Sequence, residues 1–193
     1  MPESQSQMMI IEHTEEALAD SRENSLTLNR TLGPKGTKSL QRMFRDPRVL
    51  ESHERNDLIA SLSKAVELLP SVPEVRVMFG MALCVDLRVQ EAMTHLRKAV
   101  EQNPHCYIAQ LKLGELLMRL RICDQAAYHT HQAALLAEND VQADLARRQA
   151  AAIRQMRREG IERGGYKGLL SWAKTFSRRR TTRSSQPALA VSE

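Results

Sequence analysis

The chain has 193 residues, a formal net charge of +5 and a sequence pI near 9.4, enough for one ordinary domain with flanking segments. Aromatic residues make up 4% of it, and Leu, Ala, Met and Val supply most of the apolar content, which disfavours β-sandwiches and favours helices packed on helices. Cys84, Cys106 and Cys123 are odd in number and form no Cys-x-x-Cys pair, which argues against a disulfide framework and for a reducing, cytoplasmic setting.

In chain order, Met1 to Gln7 is polar and lacks the basic start and apolar core of a signal peptide. Residues 1–38 read as a mostly disordered N-terminal segment. A short helix over Thr14–Arg22 is the exception, with Thr14 as cap and Glu15 and Glu16 in its first turn. Leu32-Gly33-Pro34-Lys35-Gly36 reads as a linker, since the Gly-x4-Gly-Lys-Ser/Thr spacing of a phosphate-binding loop is missing. From Asp46-Pro47, or from a second start near Ser52, a helix runs to Leu69 and stops at Pro70, with Leu58, Leu62, Ala65, Val66 and Leu69 on one face. Further helices are predicted over Glu74–Leu87, Val89–Gln102, Tyr107–Arg119, Cys123–Ala137 and Val141–Arg158, the last ending against Gly160. The longest apolar run, Val77–Val85, is far too short to span a bilayer.

The middle of the chain repeats itself after 34 residues. Phe79-Gly80 returns as Leu113-Gly114, Ala92 as Ala126, and Ala99 as Ala133. A period of this length belongs to helix-turn-helix units whose apolar faces are buried by stacking on a neighbour. With these residues the pattern resembles the tetratricopeptide repeat. Pro73–Cys106 matches it with Phe79, Gly80, Ala92, Leu96, Ala99 and Pro104, and Tyr107–Asp140 with Leu113, Gly114, Ala126 and Ala133. The second unit departs by carrying Thr130 at the bulky position and Glu138 where Pro is usual.

The resemblance divides the chain into a partial repeat or N-terminal cap at 39–72, two repeats at 73–140, a C-terminal capping helix at 141–160 and a basic arm with a flexible tail at 161–193. The first helices of successive repeats would line a groove for a peptide or helix, which assigns Val77, Met81, Cys84, Ile108, Leu111, Glu115 and Met118 to its surface. Some family members grip a peptide carboxylate with Lys and Asn on this surface. Val77 and Met81 stand there instead, so an apolar, methionine-containing groove suited to an amphipathic helix is expected. The alternative, that the chain's own termini fill the groove, stays open.

The arm is the second informative stretch. Residues 147–183 hold twelve Arg or Lys against Glu159 and Glu162, so the remainder of the chain is net acidic. If 168–180 is helical, Leu169, Trp172, Ala173 and Phe176 share a face flanked by Lys167, Lys174, Arg178, Arg179 and Arg180. Such a helix can lie on an anionic membrane surface, place arginines on nucleic-acid phosphates, or pack on its own scaffold; nucleic acid is the least favoured.

No catalytic constellation, cofactor motif or metal-ligand spacing is present. His129 and His131 lie on different faces of one helix, and His95 sits a helix spacing away. The sequence therefore predicts an all-α fold, a short tetratricopeptide-type helix-turn-helix solenoid with flanking capping helices. Its expected function is that of a non-enzymatic adaptor for a partner peptide or helix. The alternative is a peripheral binder of anionic membrane acting through the arm. Self-association is expected if the open ends of the stack are left uncovered.

Overall fold

The computed structural model describes residues 3–46 and 49–161, with side-chain surroundings from residue 22 onward. Among these residues there are seven helices and no strand: α1 Glu3–Arg45, α2 Ser52–Leu68, α3 Pro73–Val85, α4 Val89–Gln102, α5 Tyr107–Arg119, α6 Cys123–Leu135 and α7 Asp140–Arg158. Consecutive helices pack on one another throughout the described residues, α3 also touches α5, and α5 touches α7. The result is three helix pairs, α1–α2, α3–α4 and α5–α6, closed at one end by α7. This is the expected all-α helical solenoid.

The N-terminal third corrects the sequence reading. The stretch expected to be mostly disordered is helical on both sides of Gly33, whose φ of 63° and ψ of 179° break α1 into two segments. The linker expected at Leu32–Gly36 is a kink. Pro34 can open the second segment because the first turn of a helix has no use for its missing N–H. Leu40 and Met43 are buried, so the second segment has a core-facing stripe that makes it the partner of α2. Helix α2 takes the later of the two expected starts. Glu51 and Glu54 form its capping box, and Arg42 of α1 ion-pairs with Glu54, tying the two helices together.

Each of the two central pairs turns in the same way. After α3, Leu87 adopts φ 63°; after α5, Arg121 adopts φ 60°. In each case two backbone N–H groups reach back into the preceding helix: Arg88 N to Leu83 O at 2.9 Å and Leu87 N to Cys84 O at 3.2 Å, then Ile122 N to Leu117 O and Arg121 N to Met118 O, both at 2.9 Å. These bonds satisfy the last carbonyls of α3 and α5 and reverse the chain into the next helix.

Within each pair the glycine is needed for space. A Cβ on Gly80 would stand 2.9 Å from Leu96 Cγ. A Cβ on Gly114 would stand 2.8 Å from both Thr130 Oγ1 and Gln149 Nε2, and 3.2 Å from the Thr130 backbone nitrogen. The second contact explains Thr130 at a position where a bulky residue is usual. Gln149, reaching in from α7, donates to Thr130 Oγ1 at 2.7 Å and to Leu111 O at 3.2 Å. Its side chain takes up the room that a leucine would have filled, and the polar pin seats α7 on the second repeat. Tyr107 Oη adds a bond to Gln142 O at 2.9 Å, while Ala146 and Ile153 of α7 are buried.

Two half-buried histidines make the fold sensitive to acid. His129 donates from Nδ1 to Gln110 Oε1 at 2.8 Å, and Gln110 in turn donates to Pro104 O at 2.9 Å. His95 lies edge-on to Phe79 with ring centroids 4.5 Å apart, and its buried Nδ1 has no hydrogen-bond partner. Burial lowers the pKa of both rings. Arg76 and Lys98 add to the effect at His95 against Glu91, and Arg97 adds to it at His129. A depressed histidine pKa means the unfolded chain binds the proton more readily. The neutral rings' contribution is therefore complete above the unfolded value of about 6.5 and is lost as the pH falls through the lower folded values. We expect the urea midpoint to drop between pH 7 and pH 5, and the His95→Leu/His129→Asn double variant to flatten that slope.

Candidate functional site

A cleft of about 620 Å³ opens where the C-terminal ends of α1, α3 and α5 come together. Met43 and Phe44 line it from α1, Met81, Cys84 and Val85 from α3, and Leu116 and Leu120 from α5 and its end. The lining is mostly apolar, and three of its members are half-buried methionine, cysteine and valine side chains of α3. Two large apolar side chains stand out in the solvent at its mouth, Phe44 at 52% and Leu87 at 83% exposure.

The charged groups around the cleft are engaged with one another. Glu115 accepts from Lys112 Nζ at 2.9 Å and from Arg119 Nη2 at 2.7 Å. Burial opposes the charge on this carboxyl, but the two cations outweigh it and hold its pKa below the ordinary carboxylate value. Arg55 donates to Leu50 O at 2.7 Å and to Ser52 Oγ at 3.1 Å, and lies 3.4 Å from Asp86 Oδ1. It fixes the start of α2 to the end of α3. Cys84 lies in the wall, and burial pushes its thiol up to about 11. It is a neutral, weakly nucleophilic side chain at physiological pH.

The structure divides the seven expected groove residues. Met81, Cys84 and Glu115 line the cleft. Ile108 and Met118 are half-buried against the core and do not line it. Val77 and Leu111, 1% and 5% exposed, belong to the core. Val77 is enclosed in the main cluster, while Leu111 packs with Ala133 of α6 and Ala146 of α7. The division follows position: Val77 and Leu111 are covered by neighbouring helices, while the cleft opens towards the C-terminal ends of α3 and α5. Phe44, Leu87 and Leu120 were missed because a repeat pattern says which residues are small or large, and these lie at helix ends and turns.

The expected anionic-surface residues, Lys167, Leu169, Trp172, Lys174, Phe176, Arg178, Arg179 and Arg180, lie outside the described residues. Among the described residues no group of three or more His, Cys, Asp or Glu side chains is placed to hold a metal ion. No helix there is long and apolar enough to cross a membrane.

The sequence matches no protein-family model and no curated protein. Solved structures do match. The Sgt2 TPR domain from Aspergillus fumigatus is 14% identical with a TM-score of 0.53, the match covering 83% of this chain and 91% of that one. The first TPR of Spaghetti (RPAP3), bound to the HSP90 peptide SRMEEVD, is 18% identical with a TM-score of 0.52, covering 69% of this chain and 92% of that one. The TPR2B domain of yeast Sti1, in a pHsp70 complex, is 13% identical with a TM-score of 0.52, covering 64% and 99%. With the 34-residue repeat, the glycine contacts and the paired helices already in place, these likenesses identify the fold of this chain as the tetratricopeptide type.

Proposed function

We propose that the protein is a non-catalytic adaptor whose cleft at the ends of α1, α3 and α5 receives an apolar, helix-forming segment of a partner protein. Leu87 carries this reading. It holds a left-handed backbone conformation that a non-glycine residue adopts at a cost of about 1 kcal/mol, and it is 83% exposed at the cleft mouth. The left-handed turn serves the chain reversal after α3, as it does at Arg121 after α5, but a leucine this exposed adds nothing to the isolated fold. A partner that covered Leu87 and Phe44 would bury both.

Two of the similar domains are solved with a bound partner, one in a pHsp70 complex and one with the acidic HSP90 peptide SRMEEVD. That supports peptide capture as the general use of the fold. The chemistry of this cleft favours a different occupant. Lys112 and Arg119 are committed to Glu115, while the walls offer methionine, valine, leucine and phenylalanine. Adaptable methionine-lined surfaces suit the apolar face of an amphipathic helix.

Leu87→Gly tests the reading because it moves stability and binding in opposite directions. Glycine relaxes the left-handed turn, so stability rises by about 1 kcal/mol, read as a higher urea midpoint. Loss of the exposed leucine weakens partner capture. A variant that is more stable and binds as well as the parent would remove Leu87 from the binding surface.

A further inference from the structure

Helix α7 ends with the same chain reversal that ends α3 and α5. Gly160 has φ 66°, Ile161 N donates to Met156 O at 2.9 Å and Gly160 N to Arg157 O at 3.2 Å. After Leu87 and after Arg121 this turn is followed at once by the second helix of a pair, α4 or α6. α7 runs parallel to α5: Tyr107 bonds near its start, and Arg157 near its end donates to Asp124 Oδ1 at 2.5 Å and to Cys123 O at 3.2 Å. It occupies the place of the first helix of a fourth pair.

The side on which a second helix would lie is open. A groove of about 250 Å³ runs between α6 and α7, walled by Ala127, Thr130 and Ala134 on one side and Ala146, Ala150 and Ile153 on the other. His131 stands on this edge of α6, one repeat on from Arg97. Arg97 lies on the edge of α4 beside α6, close enough to His129 to act on its proton.

Thirty-two residues follow Ile161. Counted from the left-handed residue of each turn, the small residue five places on is Ala92, then Ala126, then Gly165; the residue nine places on is Leu96, then Thr130, then Leu169. Twelve places on, Ala99 and Ala133 give way to Trp172. Ala133 must be small because Ala146 of the following helix packs on it. A large apolar residue at this register suits an edge that no described helix covers. On a helical register Leu169, Trp172, Ala173 and Phe176 share one face, with Lys167, Lys174 and Arg178 off it.

We infer that residues 162–176 dock in the α6–α7 groove as the second helix of a fourth pair. The chain leaves α7 already turned towards this groove, so docking is intramolecular and needs no linker. Its consequence is that Trp172 and Phe176 are committed to the scaffold, leaving the arginines from 178 onward as the free basic end.

Trypsin digestion of the full chain, followed by mass spectrometry, tests this. Bonds after Lys167 and Lys174 should be cut at least roughly tenfold more slowly than those after Arg178–Arg180, because cleavage needs the docked segment to open. Trp172, the single tryptophan, should emit to the blue of the urea-unfolded chain. Ala134→Arg, at an exposed position on α6, and Ala150→Arg should each abolish both effects while circular dichroism shows the repeats still folded; Leu120→Arg in the other cleft should leave both intact. Equal cutting at all sites in the parent chain would overturn the inference. So would protection that survives both α6–α7 substitutions, or protection that fades on dilution, which would mark a second copy as the occupant.

Discussion

Gly114→Val should destabilise the fold by about 3 kcal/mol, the upper range for forcing extra methyl groups into a packed interior. With a urea m-value on the order of 2 kcal/mol/M, the midpoint falls by roughly 1.5 M. The reason lies in what the new carbon meets. At Gly114 it collides with Thr130 Oγ1 and Gln149 Nε2 at 2.8 Å, and the Thr130 backbone nitrogen stands behind them at 3.2 Å. The side chains cannot retreat without breaking the hydrogen bonds that seat α7, and the backbone cannot retreat at all. Gly80 meets only the side chain of Leu96 below 3.4 Å. Gly80→Ala should therefore cost less than Gly114→Ala. The reverse order in equilibrium unfolding would show that Gln149 does not hold α7 in the way described.

The second large effect is on binding. Met81→Arg and Leu120→Arg introduce charge on opposite walls of the cleft, at half-buried positions that line it. Each guanidinium can still reach solvent, so the fold survives, but an apolar helix face laid in the cleft would have to strip water from it. Losing one well-packed apolar contact is worth about 1.4 kcal/mol or more, a tenfold change in affinity, and the double variant should fall below detectable capture. Unchanged capture with an intact circular dichroism spectrum would rule out the cleft as the binding surface. Arginine at Leu111 is a poor substitute for this test: that side chain is 5% exposed in the core, and the variant would unfold.

The repeat was legible because it is written in small residues. Gly80, Gly114, Ala92, Ala126, Ala99 and Ala133 occupy places where helices touch, and close contact leaves no choice of side chain. The turns after α3 and α5 were less legible, since Leu87 and Arg121 sit at left-handed positions where glycine would have announced itself. The first helix was hidden by Gly33-Pro34, which reads as a break from sequence alone and is a kink between two helical segments in the structure. Thr130 read as a departure from the repeat because its partner, Gln149, lies 19 residues away on another helix, and no local pattern links the two. The cleft itself was half legible. The resemblance to the repeat family assigned Met81, Cys84 and Glu115 to the groove and they line the cleft, but which first-helix positions stay open depends on how neighbouring pairs pack, and Val77 and Leu111 are buried.

The most direct measurement of the central claim is site-specific photo-crosslinking in the cell of origin. A photoreactive amino acid is placed at Leu120 in the cleft, at Leu87 on its rim, and at Tyr128, which is 60% exposed on α6. A discrete crosslinked partner is expected from positions 120 and 87, lost when Met81→Arg is added, and none of that species from position 128. A partner crosslinked from position 128 and from neither cleft position would contradict it.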